Sequence, residues 1–410
     1  MMQQVYSMDD YDFKGKKVLL RIDINTPISP KSGELMDYRR FNSHKETLKE
    51  LINSGARTVV LAHQGRPGDM DFTTLEGHAK RLSEVVGREV KYVDSIFSSY
   101  VLREVEEMKD GDLILLENCR FYSEEVINRP SDVQAKTFIV QKLMNSFDVY
   151  INDAFATAHR NQPTVIGFPT VMKSLAGRLM QKEIDTIEGI LKKPKKPITF
   201  VLGGTKADDS LKIAMKALEN DTQYVLTGGV VANIMLAAKG YRIGDPSIEF
   251  IRGKKMVDQI DVGKELLDKY PDKIILPSDL ALDHYGERME ISVSDLPKNY
   301  KISDIGHNTV DNYQKILMNS GTIFANGALG VFEDPKFKYG TEEILKSIAE
   351  SKAFSVIGGG HTVAAAKKLD LHGDITHISS GGSACVNLLA GYKLPAVEAL
   401  IESRRKYKLP

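Results

Sequence analysis

The chain has 410 residues, of which 42% are hydrophobic and 27% charged, and its 55 basic and 55 acidic residues cancel. This length predicts two or three domains, each able to bury a core of its own. The balanced charge disfavours general nucleic-acid binding, so any anion site must be a local cluster of positive charge. No apolar run approaches the length that spans a bilayer.

Cysteine usage and the N-terminus indicate the cellular compartment. Cys119 and Cys385 are far apart in sequence and give neither a disulfide framework nor a metal-binding spacing, as expected in a reducing cytoplasm. The opening MMQQVYSMDDYDFKGKK has no apolar core and carries acids early, so it does not have the pattern of a signal peptide. We therefore expect a cytoplasmic protein with no membrane partner. Because of the balanced charge, we also expect no nucleic-acid partner.

The first half of the chain alternates short apolar runs with helical patterns. In chain order, KKVLLRIDIN predicts a strand, RRFNSHKETLKELINSG an amphipathic helix, ARTVVLAHQGRP a strand, TTLEGHAKRLSEVVG a helix, and DLILLENCRF and VYINDAFATAHR two further strands. Apolar strands alternating with helices predict parallel sheets covered on both faces. Ligands of such sheets bind outside the carboxyl ends of the strands, so the residues after these strands are the candidate site.

Basic residues cluster at those strand ends. An Asp–Asn pair follows the first strand, histidines and arginines follow the others, and one arginine begins the first helix; together they are Asp23, Asn25, Arg40, His63, Arg66, Arg120, His159 and Arg160. The planar guanidinium group suits bidentate capture of carboxylate and phosphate. The pattern therefore predicts a small substrate with at least two anionic groups, and the alternative is a set of surface arginines paired with local acids.

The middle of the chain predicts a connecting helix. The stretch from Met172 to Lys193 has the pattern of one long helix, which KKPKKP ends through Pro194 and Pro197. A second series of strand–turn–helix units begins at Ile198, so we place the domain boundary on this helix. The final LPAVEALIESRRKYKLP is amphipathic and predicts a helix that packs on one of the domains.

Glycine turns mark the second half instead. Apolar runs enter glycine-rich turns in FVLGGTKADDS, YVLTGGVVANIM, IFANGALGVFE, VIGGGHTVAAA and HISSGGSACVNLL, and most lead towards helix formers. A strand, a glycine turn and a helix N-terminus together form an anion site, so the repeated turns predict a large phosphate-bearing ligand such as a nucleotide. Only GGTK sets a lysine, Lys206, beside the glycines, where it can follow a phosphoryl group during transfer.

The best-defined nucleotide motifs do not explain these turns. GGGHTV lacks the last glycine of the dinucleotide fingerprint, and no Gly-Lys pair is followed by Ser or Thr as in a Walker A loop. One lobe that clamps a small anion and another that cradles nucleotide phosphates predict a two-lobed small-molecule kinase, which closes to exclude water. A dehydrogenase is an alternative that the failed fingerprint disfavours.

The ordered motifs resemble those of phosphoglycerate kinase over nearly the whole chain. They are VLLRIDINTP, LAHQGRP, LLENCRF, YINDAFATAHR, AGRLMQKEI, LGGTK, ANGALGVFE, IGGGHT and HISSGG. The resemblance implies an α/β fold of two Rossmann-like domains with parallel sheets, each a three-layer αβα arrangement, joined by a hinge helix. It implies a 3-phosphoglycerate-binding domain at 1–171, an interdomain helix and hinge at 172–197, a nucleotide-binding domain at 198–392 and a C-terminal segment at 393–410 that packs back on the first domain.

The resemblance also implies the activity. It is reversible phosphoryl transfer between 1,3-bisphosphoglycerate and ADP, giving 3-phosphoglycerate and ATP in glycolysis and gluconeogenesis, by hinge closure of two lobes. Mg²⁺ is expected to accompany ATP or ADP, and the protein is expected to be a monomer or homodimer.

The family's residue roles carry over position by position. The implied substrate residues are Asp23, Asn25, Arg40, His63, Arg66, Arg120 and Arg160, and the implied catalytic residues are Arg40 and Lys206. The implied nucleotide residues are Gly204, Lys206, Asn326, Glu333 (for the ribose hydroxyls), Gly358, Gly359, Gly360, His361 and Thr362. Glu183 and His377 match a pair near the hinge.

Four positions depart from the family pattern. Ser210 stands where a second lysine is usual, Ala328 replaces a proline, Gln162 replaces a histidine, and His361 replaces the magnesium-binding aspartate. Imidazole is a poor substitute because Mg²⁺ prefers oxygen ligands, so the metal ligands stay unknown. His361 either donates hydrogen bonds to a phosphate or only caps the helix and packs locally. Ser210 and His361 motivate one more alternative, a non-catalytic relative that senses phosphates.

Overall fold

A computed structural model describes residues 2–371 and 373–409, and the chain divides within one helix into two compact units. The first unit runs to Glu188 and includes the C-terminal residues from Lys393 onward. The second unit runs Gly189–Tyr392. Among the described residues, no helix is both long enough and apolar enough to cross a bilayer.

The first unit alternates strands and helices. Its elements are β1 Lys17–Arg21, α1 Arg39–Ser43, α2 Lys45–Asn53, β2 Arg57–Leu61, α3 Glu76–Val86, β3 Val90–Val93, α4 Ser99–Glu107, β4 Leu113–Leu116, α5 Ser131–Gln134, α6 Phe138–Leu143, β5 Val149–Asn152, α7 Phe168–Val171, β6 Ser174–Ala176 and α8 Arg178–Lys192, which continues into the second unit. Short helical turns lie at Met2–Gln4, Met8–Asp10, Cys119–Phe121, Ser123–Val126, Met144–Ser146, Phe155–Thr157 and Pro163–Gly167.

Within the described part of this unit, the six strands form one parallel sheet in the order β3-β4-β2-β1-β5-β6. Successive side chains of a strand point to opposite faces, and β1 obeys this rule. Val18 and Leu20 enter one hydrophobic cluster, whereas Leu19 enters the cluster on the other face. The sheet is therefore covered on both sides, and β1 lies at its centre, where the chain reverses its direction of strand addition.

The second unit repeats the plan. Its elements are β7 Ile198–Leu202, α9 Ala207–Glu219, β8 Tyr224–Thr227, α10 Gly229–Ala238, α11 Asp245–Gly253, α12 Gln259–Lys269, β9 Ile274–Ile275, β10 Asp279–His284, β11 Glu287–Ser292, β12 Lys301–Ile305, α13 His307–Met318, β13 Thr322–Asn326, α14 Tyr339–Glu350, β14 Phe354–Gly358, α15 Gly360–Lys368, β15 His377–Ile378 and α16 Ser383–Leu389, with a short turn at Val293–Asp295. The described parallel strands are ordered β15-β14-β13-β7-β8-β9.

The predicted α/β class, with parallel sheets between helix layers, is confirmed, but the second unit also contains an antiparallel sheet that the sequence reasoning missed. It has the order β11-β10-β12. β10 and β11 form a hairpin across Tyr285 and Gly286, both of which have positive φ angles. β11 is only partly buried, since each of its side chains is intermediate or exposed. Its ERMEIS sequence therefore has no continuous apolar run to mark it as a strand.

Two helix predictions are wrong in detail. The helix predicted from Met172 to Lys193 begins only at Arg178, because Ser174–Ala176 adds to the sheet edge as β6, beside β5. The single helix predicted over RRFNSHKETLKELINSG is two helices, α1 and α2, which meet at His44. In both places a tertiary contact outweighs the helical periodicity of the local sequence.

The C-terminal helix α17 Pro395–Lys406 belongs to the first unit. The backbone N–H of Ala396 donates to the carbonyl of Ala158 at 3.0 Å, and the hydroxyl of Ser403 donates to the carbonyl of Met172 at 3.0 Å. Val397 and Leu400 are fully buried. This helix therefore covers the segment that contains Pro163–Gly167, α7 and β6.

A buried carboxylate joins three segments of the first unit. Asp153 follows β5, and its Oδ1 accepts hydrogen bonds from the backbone N–H groups of Leu179 at 2.8 Å and Met180 at 3.3 Å, at the start of α8. Its Oδ2 lies 2.7 Å from Nδ1 of His44. The backbone N–H of Asp23 donates to Nε2 of the same ring at 3.1 Å, so Nδ1 carries the proton and donates to Asp153.

Asp153→Ala is expected to lower the free energy of unfolding by about 3–5 kcal/mol, because it leaves the buried His44 ring and two backbone N–H groups without an acceptor. Urea unfolding followed by circular dichroism measures this loss. The matched control is Asp148→Ala, since exposed Asp148 precedes the same strand and accepts one hydrogen bond from the backbone N–H of Lys17 at 2.8 Å. A loss of about 1 kcal/mol or less is expected there, and equal losses in the two variants would contradict the role of Asp153.

Candidate active site

The carboxyl end of β1 begins the site in the first unit. Asp23 follows β1 and is buried, and Nη1 of Arg40 is in contact with its Oδ2. Oδ1 of Asp23 accepts from the backbone N–H of Asn25 at 3.1 Å and lies 4.0 Å from Nδ1 of His63. Burial raises the pKa of Asp23, but the surrounding positive charge, of which Arg40 contributes most, outweighs it and holds this pKa well below its usual range. The carboxylate is therefore ionised and fixes Arg40.

The turn after β2 is held by two of the predicted residues. Oδ1 of Asn25 accepts from the backbone N–H of Gly65 at 2.8 Å, and Nη1 of Arg120 donates to the carbonyl of Gly65. Arg66 comes next in the chain and is exposed. The ends of β1, β2 and β4 are thus brought together, as their positions in a parallel sheet predict.

Positive charge accumulates at this sheet edge. Burial lowers the pKa of Arg120 and of Arg160, neighbouring arginines lower both further, and the pKa of Arg160 falls to about 10. Nη1 of Arg160 is buried and has no hydrogen-bond partner among the described residues. Burial and mutual repulsion disfavour the charged form of these guanidinium groups, and an anion placed between them would stabilise it. Arg120 and Arg160 thus do not fit the alternative of surface arginines paired with local acids, whereas Arg40 is paired with Asp23.

The sequence reasoning missed the residues beneath this cluster. Arg21 is completely buried, and its Nη2 lies 2.9 Å from Nδ1 of His63. Its Nε donates to Oγ1 of Thr164 at 2.9 Å, and that hydroxyl contacts the buried Glu125. One signal was available: an arginine inside the apolar run KVLLR is unusual and needs a partner. Thr164 and Glu125 lie in stretches that carry no such signal.

Close backbone packing shapes the site in the second unit. The backbone N–H of Gly204 donates to the carbonyl of Ala328 at 2.7 Å, which joins the turn after β7 to the turn after β13. A Cβ on Gly203 would lie 2.4 Å from the same carbonyl oxygen, so only glycine fits there. Ala328, where the family has proline, therefore acts here through its backbone.

The turn after β14 packs against the end of β13. Asn326 pairs in register with Gly358, and Oγ1 of Thr362 accepts from the backbone N–H of Gly327 at 2.8 Å. Gly359 has a φ of +83°, and a Cβ there would lie 2.6 Å from Oδ1 of Asn326. Gly360 is the first residue of α15 and has open space around it. The structure thus brings Asn326, Gly358, Gly359 and Thr362 together.

Lys206 stands at the N-terminus of α9 and is exposed. No described residue forms a hydrogen bond or ion pair with its ammonium group. Ser210, in place of the family's second lysine, is buried on the same helix. Lys212 is exposed and lies about 200° around the helix from Ser210, so it does not take over that position.

His361 pairs with Glu333, because its Nδ1 lies 2.8 Å from Oε1 of the carboxylate. The ring also meets Phe332 edge-on, with 5.7 Å between ring centroids. Both members of the pair are exposed, His361 by 72% and Glu333 by 56% of the side chain. The structure therefore shows the local packing of His361, and its hydrogen bonding to a phosphate stays a prediction.

The described part of the chain offers no ready-made cage for magnesium. Among the described residues, no cluster of three or more His, Cys, Asp and Glu side chains is arranged to hold a metal ion. The hinge pair lies in two separate elements: Glu183 is buried in α8 and His377 belongs to β15. Their pairing stays a prediction.

The comparisons with known proteins identify the family. The family model described as phosphoglycerate kinase matches residues 8–392. The chain is 46% identical to the phosphoglycerate kinase of Methanothermus fervidus over 406 residues, covering 99% of both chains, and 48% identical to that of Methanothermobacter thermautotrophicus, covering 97% of both. The crystal structure of phosphoglycerate kinase from Pyrococcus horikoshii matches with a TM-score of 0.90 and 41% identity, covering 98% of this chain and 100% of that one.

The chain belongs to the phosphoglycerate kinase family. It is a phosphotransferase that catalyses reversible phosphoryl transfer between 1,3-bisphosphoglycerate and ADP, which gives 3-phosphoglycerate and ATP in glycolysis and gluconeogenesis. In the direction of ATP use, a carboxylate oxygen of 3-phosphoglycerate bonds to the γ-phosphorus as the bond to the β-phosphate oxygen breaks. The sequence-based predictions of family, fold class and reaction are confirmed.

Gly359→Ala is expected to lower the thermal unfolding midpoint, because the positive φ and the approach to Asn326 together cost about 1–3 kcal/mol with any Cβ present. Gly360→Ala is the matched control. It adds the same methyl group one residue later, in open space at a helical position, where alanine stabilises by about 0.5–1 kcal/mol relative to glycine. Differential scanning calorimetry of both variants checks the opposite signs; two similar decreases would refute this account of the turn.

Proposed function

We propose that the two units divide the reaction between them, with the basic cluster of the first unit binding 3-phosphoglycerate and the glycine turns of the second unit binding the nucleotide. The observation that carries this proposal is the charge of the first site. Arg120 and Arg160 are both partly desolvated beside other arginines, and a small molecule with a carboxylate and a phosphate supplies the missing negative charge. Asn25 and His63 add uncharged polar groups at the same sheet edge.

The nucleotide assignment rests on the backbone. Glycines at the turns after β7 and β14 let a ligand approach main-chain N–H groups, and α9 and α15 begin directly after these turns. Glu333, whose carboxylate is exposed, is assigned to the ribose hydroxyls. Thr362 and Asn326 are assigned to holding the turns in place. Thr362 accepts a hydrogen bond from Gly327 in the turn after β13, and Asn326 packs against Gly359 in the turn after β14.

Arg40 and Lys206 are assigned to the transferring phosphoryl group. Arg40 is fixed by Asp23, whereas Lys206 has an unpaired ammonium at a helix N-terminus. Such donors act on charge that develops in transfer, and the reaction depends on positioning and charge neutralisation more than on covalent chemistry. Closure of the two units, with α8 as the hinge, is assigned to excluding water from the transfer.

Mg²⁺ is proposed to enter with the nucleotide. Since the described residues form no cage for it, nucleotide oxygens and water are the expected ligands, in keeping with the usual way that proteins hold this ion. A cytoplasmic location and a monomeric or homodimeric state stay predictions.

Lys206→Ala is expected to lower kcat roughly 100-fold or more, with little change in ADP affinity, because its charge acts in the transition state and not in the ground state. A coupled assay of ATP formation gives kcat, and calorimetric titration gives the ADP affinity. Lys212→Ala is the matched control on the same helix and is expected to leave kcat within about twofold. Near-normal turnover of the Lys206 variant would remove this residue from the mechanism.

Arg66→Ala is expected to raise KM for 3-phosphoglycerate roughly tenfold or more while leaving KM for ATP little changed, because it removes one charge-assisted contact to the anion. Steady-state kinetics with each substrate varied in turn measures both constants. Arg88→Ala, which removes an exposed arginine near Asp112, serves as the control for lost surface charge. A rise in KM for ATP alone would show that the ligands are assigned to the wrong units.

A further inference from the structure

We propose that Arg21 is a positioning residue that fixes His63 as the tautomer with its proton on Nε2, so that the ring presents a hydrogen-bond donor to the anionic substrate. The substrate part of this inference rests on the proposed function, since it takes the first unit as the site of 3-phosphoglycerate. The geometry that carries it lies entirely within the first unit. Nη2 of Arg21 is 2.9 Å from Nδ1 of His63, and both side chains are buried.

The chemistry of the two groups decides the direction of this hydrogen bond. A guanidinium group has five N–H donors and no acceptor, and it stays protonated in proteins. Nδ1 of His63 must therefore accept from Arg21 and carry no proton. The competing partner is Oδ1 of Asp23, but it lies 4.0 Å from Nδ1, which is too far to accept a hydrogen bond. A neutral ring with an acceptor at Nδ1 has its proton on Nε2.

The charged form of His63 is also disfavoured. Burial lowers its pKa well below the usual value, and Arg21, Arg120 and Arg160 act in the same direction against the opposing effect of Asp23. The ring therefore stays neutral near neutral pH, and its two nitrogens keep distinct roles. A neutral Nε2–H adds a donor without adding another positive charge to the cluster.

Arg21 is itself held in one orientation. Its Nε donates to Oγ1 of Thr164 at 2.9 Å, so the hydroxyl proton of Thr164 is directed to Oε1 of Glu125. The backbone N–H of Thr164 donates to the other oxygen of Glu125 at 3.1 Å. Nη1 of Arg21 donates to the carbonyl of Ile22. Glu125, Thr164, Arg21 and His63 thus form one connected series of hydrogen bonds, in which Arg21 is the donor on both sides, to Thr164 and to His63.

Nε2 of His63 lies at one end of this series. No described residue makes a hydrogen bond to this atom, although the ring is buried at the sheet edge where Asp23 and Arg120 also lie. The opposite tautomer would turn a nitrogen lone pair towards the bound anion, which repels it. Arg21 therefore affects substrate binding through the proton position of His63, without touching the substrate.

Nitrogen NMR of the ligand-free protein tests the tautomer directly. The protein is labelled with ¹⁵N-histidine, and the His63 signals are assigned by their loss in His63→Gln. Near neutral pH, Nδ1 is expected to show the shift of an unprotonated ring nitrogen and Nε2 that of a protonated one. In Arg21→Met the two tautomers are expected to mix, whereas Arg57→Met, which removes an arginine paired with Asp110, is expected to leave the His63 signals unchanged. A protonated Nδ1 in the native protein, or unchanged signals in Arg21→Met, overturns the inference.

Thr164→Val gives a second route that keeps the charge of Arg21. It removes the hydroxyl that accepts from Nε of Arg21, so partial mixing of the His63 tautomers is expected. If Arg21→Met does not fold, the NMR test uses this variant instead. KM for 3-phosphoglycerate is expected to rise roughly tenfold in Arg21→Met and less in Thr164→Val, with kcat and KM for ATP within about twofold of native. A mixed tautomer with unchanged KM overturns the role of Nε2 as a donor to 3-phosphoglycerate, and an unmixed tautomer overturns the role of Arg21. The assignment of 3-phosphoglycerate to this unit is tested separately by the kinetics of Arg66→Ala.

Discussion

The carboxylate of Asp153 is the constraint on which the proposed substrate site of the first unit is built. One oxygen accepts from two N–H groups at the start of α8, and the other accepts from His44, whose second nitrogen accepts from the backbone of Asp23. The end of β5, the junction of α1 and α2, and the end of β1 are thereby fixed to one another. Asp23 then fixes Arg40, so the position of a proposed catalytic arginine depends on a residue that touches no substrate.

The basic cluster is an arrangement that folding alone does not favour. Burial and mutual repulsion lower the pKa of Arg120 and Arg160, which means that their charged forms are stabilised less than in water. An anionic ligand reverses this balance, because it replaces both the lost hydration and the missing counter-charge. The hydrogen bonds of Asn25 and Arg120 to Gly65 hold the strand ends together in the ligand-free protein, so the proposed anion site is preorganised and does not have to be assembled by its ligand.

The site residues that follow strands could be predicted from the sequence, whereas the residues that hold them in position could not. Asp23, His63 and Arg120 follow apolar runs in a parallel sheet, and topology brings such positions together whatever the details of packing. Asp153, Thr164 and Glu125 act through contacts between segments far apart in the chain, which no local periodicity encodes. The same limit explains β6: Ser174–Ala176 has a helical context, and only pairing with β5 makes it a strand.

His44 and His63 show why residue type alone does not fix chemistry. His44 faces a carboxylate, so its Nδ1 is the donor and its Nε2 the acceptor. His63 faces a guanidinium group, which can only donate, so its Nδ1 is the acceptor and its Nε2 the donor. The first ring uses both nitrogens to hold the fold together, whereas the second uses Nδ1 and leaves Nε2, which we propose to bind the ligand, without a partner among the described residues. Two identical side chains therefore take a structural role and a proposed binding role according to the charge of the group beside Nδ1.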